Sequence, residues 1–129
     1  MHGGLLQEEL TRRIIGAFYE VYNSLGFGFL EAVYANALEQ EMRARSLRVD
    51  REVWVDVAYK GQKVGQYRAD VIVEQSVIVE LKAGRLLDPS AQKQLLNYLR
   101  GTTLEVGLLL HFGPHPAFKR LVVSNVPEP

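Results

Sequence analysis

QYRADVIVEQSVIVELKA, residues 66–83, is the most informative segment of the chain. It carries two β-branched runs, Val71-Ile72-Val73 and Val77-Ile78-Val79, on either side of Glu74-Gln75-Ser76. That is the pattern of two strands joined by a short hairpin loop. With Gln75 at the tip, Asp70 falls opposite Glu80 and Arg68 opposite Lys82. Opposed residues of an antiparallel pair share a face, as do residues two apart on one strand. Asp70, Glu80 and Lys82 are therefore expected to project from one side of an otherwise aliphatic hairpin.

Two facing carboxylates repel, and apolar surroundings sharpen the repulsion unless a cation compensates it. A divalent metal is the simplest remedy. Asp and Glu oxygens, in a chain without cysteine, suit a hard ion such as Mg2+ or Mn2+ rather than zinc. Lys82, one strand repeat past Glu80, is then placed to hold or deprotonate a water attacking a phosphodiester. The plainer alternative makes Asp70 and Glu80 the solvent-facing ends of an amphipathic hairpin with Lys82 as their ion-pair partner, because Asp followed by Glu-x-Lys is a short and common pattern.

A chain of 129 residues fits one domain, here residues 1–129, with room for a core that needs no staples. Its 47% hydrophobic and 23% charged residues are those of a folded soluble protein rather than a disordered tail. The absence of cysteine excludes disulfides and thiolate metal sites and fits a reducing cytoplasm. No apolar run reaches membrane-spanning length, and Glu8 and Glu9 stand where a secretory signal would be basic, so the expectation is a cytoplasmic protein with no membrane association. Fifteen basic residues balance fifteen acidic ones, which argues against tight sequence-independent DNA binding by an isolated monomer, since that affinity comes mostly from phosphate neutralisation.

Towards the N-terminus, Leu6, Leu10, Ile14, Phe18, Val21 and Leu25 recur at helical steps over residues 5–25. Gly26-Phe27-Gly28-Phe29 stops that helix; it lacks the Lys-Ser/Thr ending of a phosphate loop. A second helix is expected over residues 30–46, with Leu30, Val33, Ala37, Leu38 and Met42 turned inward. Glu31 lies in its first turn, where the helix dipole favours a carboxylate, and Tyr34 lies on the same side as Glu31. Val53, Val55, Val57 and Tyr59 then alternate with Trp54, Asp56 and Ala58 as a strand, and Lys60-Gly61-Gln62 turns the chain back.

Beyond the hairpin, Asp88-Pro89 reads as the N-cap and first position of a helix that ends at Gly101, with Gln94 and Tyr98 one turn apart on one face. Residues 106–112 are almost continuously apolar, as in a strand buried on both faces and brought into the sheet by a helical crossover. Residues 118–123 read as a last strand and residues 126–129 as a frayed end. His2, His111 and His115 lack zinc-protease spacing; the latter two flank Phe112-Gly113-Pro114 and read as loop residues.

The order helix, strand, Asp-bearing strand, Glu-x-Lys strand, helix, strand resembles the core of the PD-(D/E)XK nuclease superfamily. Gly28-Phe29-Leu30-Glu31-Ala32-Val33-Tyr34 matches the pattern for which the small bacterial and archaeal GxxExxY proteins are named. The likeness continues through YRADVIVEQSVIVELKA, QLLNYL and VGLLLHFG, over almost the whole chain.

The resemblance implies an α/β fold with a mixed sheet: two N-terminal helices, an antiparallel meander, a crossover helix and further strands around a restriction-endonuclease-like core. It makes Asp70 the metal-binding aspartate, Glu80 the second acidic ligand and Lys82 the lysine that positions the attacking water. The backbone carbonyl of Leu81 joins the metal ligands, and Glu31 completes the acidic cluster. Gln94 and Tyr98 match the Gln-xxx-Tyr helix of RecB-type nucleases, which meets substrate phosphate or sugar. His111 stands where similar sequences often carry asparagine. The implied function is a Mg2+-dependent nuclease acting on DNA, with Mn2+ as a substitute and a homodimer as in junction resolvases. Arg68, Arg85 and Lys93, which lie near the site in the expected topology, are candidate phosphate contacts. A second reading keeps the fold as a catalytically silent module that binds nucleic acid or protein; a third makes the acidic hairpin a dimer surface.

Overall fold

The computed structural model describes residues 7–124. Helix α1 (Glu8–Leu25) and helix α2 (Glu31–Ala44) are followed by strands β1 (Val49–Tyr59), β2 (Gln62–Val73) and β3 (Val77–Ala83). Helix α3 (Ser90–Gly101) then crosses over to strands β4 (Val106–Phe112) and β5 (Pro116–Val122). The strands form one five-stranded sheet in chain order, antiparallel except for β3 and β4, which the α3 crossover makes parallel. Among the described residues no helix is long and apolar enough to cross a membrane.

Each face of the sheet packs against helices, so both faces are apolar. Val71, Val73, Val79, Leu81, Leu108, Leu110 and Phe112 join Ile14, Phe18, Val21, Tyr34, Leu38 and Met42 of α1 and α2. On the other face Ile72, Ile78 and Leu109 meet Ala91, Leu95 and Leu99 of α3. This is why β4 reads as an unbroken hydrophobic run: every residue of it is buried.

The hairpin forms in the expected register, Val71 against Val79, Ile72 against Ile78 and Val73 against Val77. Its tip is made by Glu74 and Gln75 at φ 54° and 55°, with the Ser76 N–H donating to Val73 O at 3.0 Å. Asp88 takes the Ser90 N–H at 2.9 Å, so α3 is capped as expected although it begins one residue past Pro89.

Several expectations need correction. The inner face of α2 is Tyr34, Ala35, Leu38 and Met42, whereas Leu30 is 78% and Val33 39% exposed. Leu30 precedes the helix with extended backbone, and the Tyr34 hydroxyl finds a carbonyl partner at Gly26, so the larger aromatic takes the buried position. Tyr34 and Glu31 consequently diverge: Tyr34 is in the core and Glu31 is at the surface. The last strand begins at Pro116 and ends at Val122. His111 is a buried residue of β4 and not a loop residue. Leu5 and Leu6, expected in the first helix, His2 and residues 126–129 lie outside the described residues.

One irregularity positions the site. Glu52 in β1 has φ 56°, and across it the β1–β2 ribbon exchanges faces. Arg51 donates to Asn36 and Glu39 of α2, whereas Val53, Val55, Tyr67 and Ala69 pack on the α3 side. Asp70 sits at that exchange, between Ala69 on one face and Val71 on the other.

Candidate active site

Pairing of β2 with β3 ends at Val71 and Val79, and the next residues on each strand are Asp70 and Glu80. Side chains replace the backbone ladder there. The Leu81 N–H donates to Asp70 Oδ2 at 3.4 Å, and the Asp70 N–H donates to Glu80 Oε2 at 3.3 Å. The N–H and C=O of a strand residue point to the same edge, so the Leu81 carbonyl also faces this gap. Arg68 and Lys82, expected to oppose one another, are not paired; Arg68 is bonded to Glu52 and its guanidinium lies over the Trp54 ring.

A cavity of about 340 Å3 opens beside the gap, lined by Glu31, Ala32 and Ala35 of α2, Arg51 and Glu52 of β1, Asp70 and Leu81. Glu31 reaches it from the first turn of α2, on the side of the Ala83 backbone at the end of β3. Burial raises its pKa above the ordinary carboxylate value, the Lys82 ammonium opposes that shift, and the Asp70 charge adds to it. Glu80 is pushed up to about 7, first by burial and further by the Asp70 carboxylate, against the lowering effect of the Tyr67 hydroxyl. The fold thus brings Glu31, Asp70, Glu80 and Lys82 into one electrostatic neighbourhood.

The donor chemistry of this group fits a hard divalent cation. Both hydrogen bonds to Glu80 land on Oε2, and the one to Asp70 lands on Oδ2, which leaves one oxygen of each carboxylate open to a ligand. Glu31 and Glu80, whose pKa values are raised by burial and by the Asp70 charge, are stabilised by added positive charge. Among the described residues no three acidic or histidine side chains form a cation cage; Glu80 accepts the Asp70 N–H, and Glu31 lines the same cavity as Asp70.

Tyr98 reaches this site indirectly: its ring stacks on Tyr67 at 3.6 Å between centroids and 17° between planes, and the Tyr67 hydroxyl donates to Glu80. Gln94, one turn earlier on α3, is exposed, and its side chain makes no hydrogen bond among the described residues. Arg85 and Lys93 are exposed and form no ion pair among the described residues. Tyr67 and Arg51 are the neighbours that sequence reasoning missed. Regular alternation puts Tyr67 with Val71 and Val73, and only the exchange at Glu52 sends it towards α3.

At the far end of β3, Gly84 is held twice by β4, its N–H donating to Phe112 O at 3.3 Å and its carbonyl lying 2.9 Å from His111 Nε2. Lys82 is the register partner of His111, so this clasp fixes the strand end that carries the lysine.

No curated protein matches the chain. A solved structure, the crystal structure of SSO0001, resembles it in fold, with a TM-score of 0.53 and 22% identity over 90% of this chain and 58% of that one. This chain therefore spans well under two thirds of that protein's length, and at such identity the likeness speaks for the fold alone. A family model covers α1 to β5 and with them every element that builds the site. By that match, over residues 8–121, the chain belongs to the PD-(D/E)XK nuclease superfamily.

Proposed function

We propose that the chain is a GxxExxY-type nuclease, one domain over residues 1–129, that hydrolyses phosphodiester bonds in DNA using Mg2+, with Mn2+ able to replace it. The observation that carries this reading is the meeting of Asp70 and Glu80 where β2 parts from β3, with Lys82 and Glu31 alongside. Asp70, Glu80 and the Leu81 carbonyl are the candidate ligands, with Glu31 bound directly or through water. A cation held there supplies phosphate polarisation and a more acidic water.

The chain's own residues do the rest. Lys82 orients the attacking water and adds positive charge beside the phosphate, where charge develops in the transition state. Gln94 and Tyr98 hold the strand's phosphate or sugar, so that the scissile bond stays in line with the water. Arg85 and Lys93, exposed and unpaired with acid among the described residues, are the candidate phosphate contacts; Arg68 is engaged by Glu52. With a formal net charge of zero the chain offers little general attraction for a polyanion, so binding rests on local contacts. The homodimer rests on the likeness to junction resolvases, and a cytoplasmic setting on the absence of cysteine.

The test is digestion of supercoiled plasmid and single-stranded DNA in Mg2+ or Mn2+, comparing wild type with Glu80→Ala and Lys82→Ala. Loss of cleavage in both variants is expected. Cleavage that persists unchanged in both would falsify the assignment.

A further inference from the structure

We propose that Tyr67 is a positioning residue for this site: its hydroxyl determines which oxygen of Glu80 faces the cation, and its stacking on Tyr98 ties that choice to helix α3. This deepens, and rests on, the reading of Asp70 and Glu80 as cation ligands.

Two donors converge on one oxygen of Glu80. The Tyr67 hydroxyl and the Asp70 N–H both bond to Oε2, leaving Oε1 without a hydrogen-bond donor among the described residues. Without the hydroxyl, one backbone donor at 3.3 Å is left to hold the carboxylate, and rotation about the Glu80 side chain exchanges the two oxygens. A phenol suits the role because it remains a neutral donor.

The position of the ring is set from outside the hairpin. Tyr67 lies in the part of β2 that pairs with β1 but not with β3, so the sheet does not hold it against Glu80. The stack on Tyr98 does, and Tyr98 belongs to the helix proposed to meet the nucleic acid. Partners that orient a metal-ligating side chain are typically worth about 10–100-fold in metal affinity.

The experiment measures Mn2+ binding by calorimetry, without nucleic acid, in wild type, Tyr67→Phe, Tyr98→Leu and Glu80→Gln. Tyr67→Phe keeps the ring and its stack but loses the hydroxyl; its Mn2+ Kd is expected to rise about 10-fold or more, with DNA cleavage restored by excess Mn2+. Tyr98→Leu retains the hydroxyl without its support and is expected to shift the Kd in the same direction by less. In the wild type, Mn2+ is also expected to perturb tyrosine near-ultraviolet absorption. That readout decides the matter if Tyr67→Phe folds poorly, and its absence would then overturn the proposal. If Tyr67→Phe binds Mn2+ like wild type while Glu80→Gln binds weakly, Tyr67 has no positioning role but the ligand assignment stands. If Glu80→Gln also binds like wild type, both fall.

Discussion

Tyr34 and Phe112 lie face to face, centroids 4.1 Å apart and planes 18° from parallel, and the contact fastens α2 to the end of β4. Phe112 in turn meets the edge of Phe18 on α1 at 4.9 Å, so three elements converge on one aromatic cluster. The Tyr34 hydroxyl donates to Gly26 O at 2.5 Å and accepts from the Phe29 N–H at 3.2 Å, which orders the loop before α2. The tyrosine of the GxxExxY heptad is thus a structural anchor, one helical turn from the glutamate that lines the cavity.

Replacing that anchor separates packing from hydrogen bonding. Tyr34→Ala, which empties a fully buried site, is expected to cost about 3–5 kcal/mol. Tyr34→Phe keeps the stack and is expected to cost ~1 kcal/mol for the lost hydrogen bonds. Urea denaturation of both variants checks the order; equal losses would show that the stack contributes nothing.

Asp70→Asn tests the acidic pair through stability. In EDTA the variant is expected to be at least as stable as wild type, since it removes one of two mutually repelling carboxylates while its amide oxygen can still accept the Leu81 N–H. Mg2+ at 100 times its Kd should stabilise wild type by about 2.7 kcal/mol and leave the variant unmoved. Thermal shifts read this directly, and an equal Mg2+ response in the two proteins would refute it.

Gly113 is required by proximity rather than by backbone conformation. A Cβ there would stand 2.5 Å from His111 Cε1 and 2.9 Å from Nε2, so Gly113→Ala must push the imidazole away from Gly84 O. Overpacking of this kind costs roughly 1–3 kcal/mol. A denaturation midpoint indistinguishable from wild type would mean that the ring has room to move.

The Glu39 cluster predicts a limb of acid sensitivity. Hydrogen bonds from Arg43 above all, and also from Arg51, hold the Glu39 carboxyl below its ordinary value. A depressed folded-state pKa means that the unfolded chain binds the proton more readily. Its contribution is therefore present above the unfolded carboxylate value and lost as pH falls through the folded one. Glu39→Gln should flatten the stability profile in that acidic window; a variant losing stability as steeply as wild type would exclude the effect.

Much of the scaffold was legible from local pattern because each signal is short in range. The hairpin register follows from two equal β-branched runs about Gln75, α3 from Asp88 and Gly101, and β4 from a run of apolar residues that needs burial on both faces. The inner face of α2 was not legible. Leu30, Val33, Tyr34, Ala35 and Ala37 surround the helix start, so hydrophobicity alone does not select the side that Phe112 and Gly26 select in space.

Local pattern alone picked out the candidate residues: two acids opposed across a hairpin and a lysine two residues past the second. Only the tertiary structure decided how they meet. The β1–β2 ribbon changes face beside the left-handed Glu52 and at Asp70, so that Tyr67 meets Tyr98 and Glu80, residues distant in the chain. Alternation along a strand carries no information about a change of face, nor about the helix that packs there.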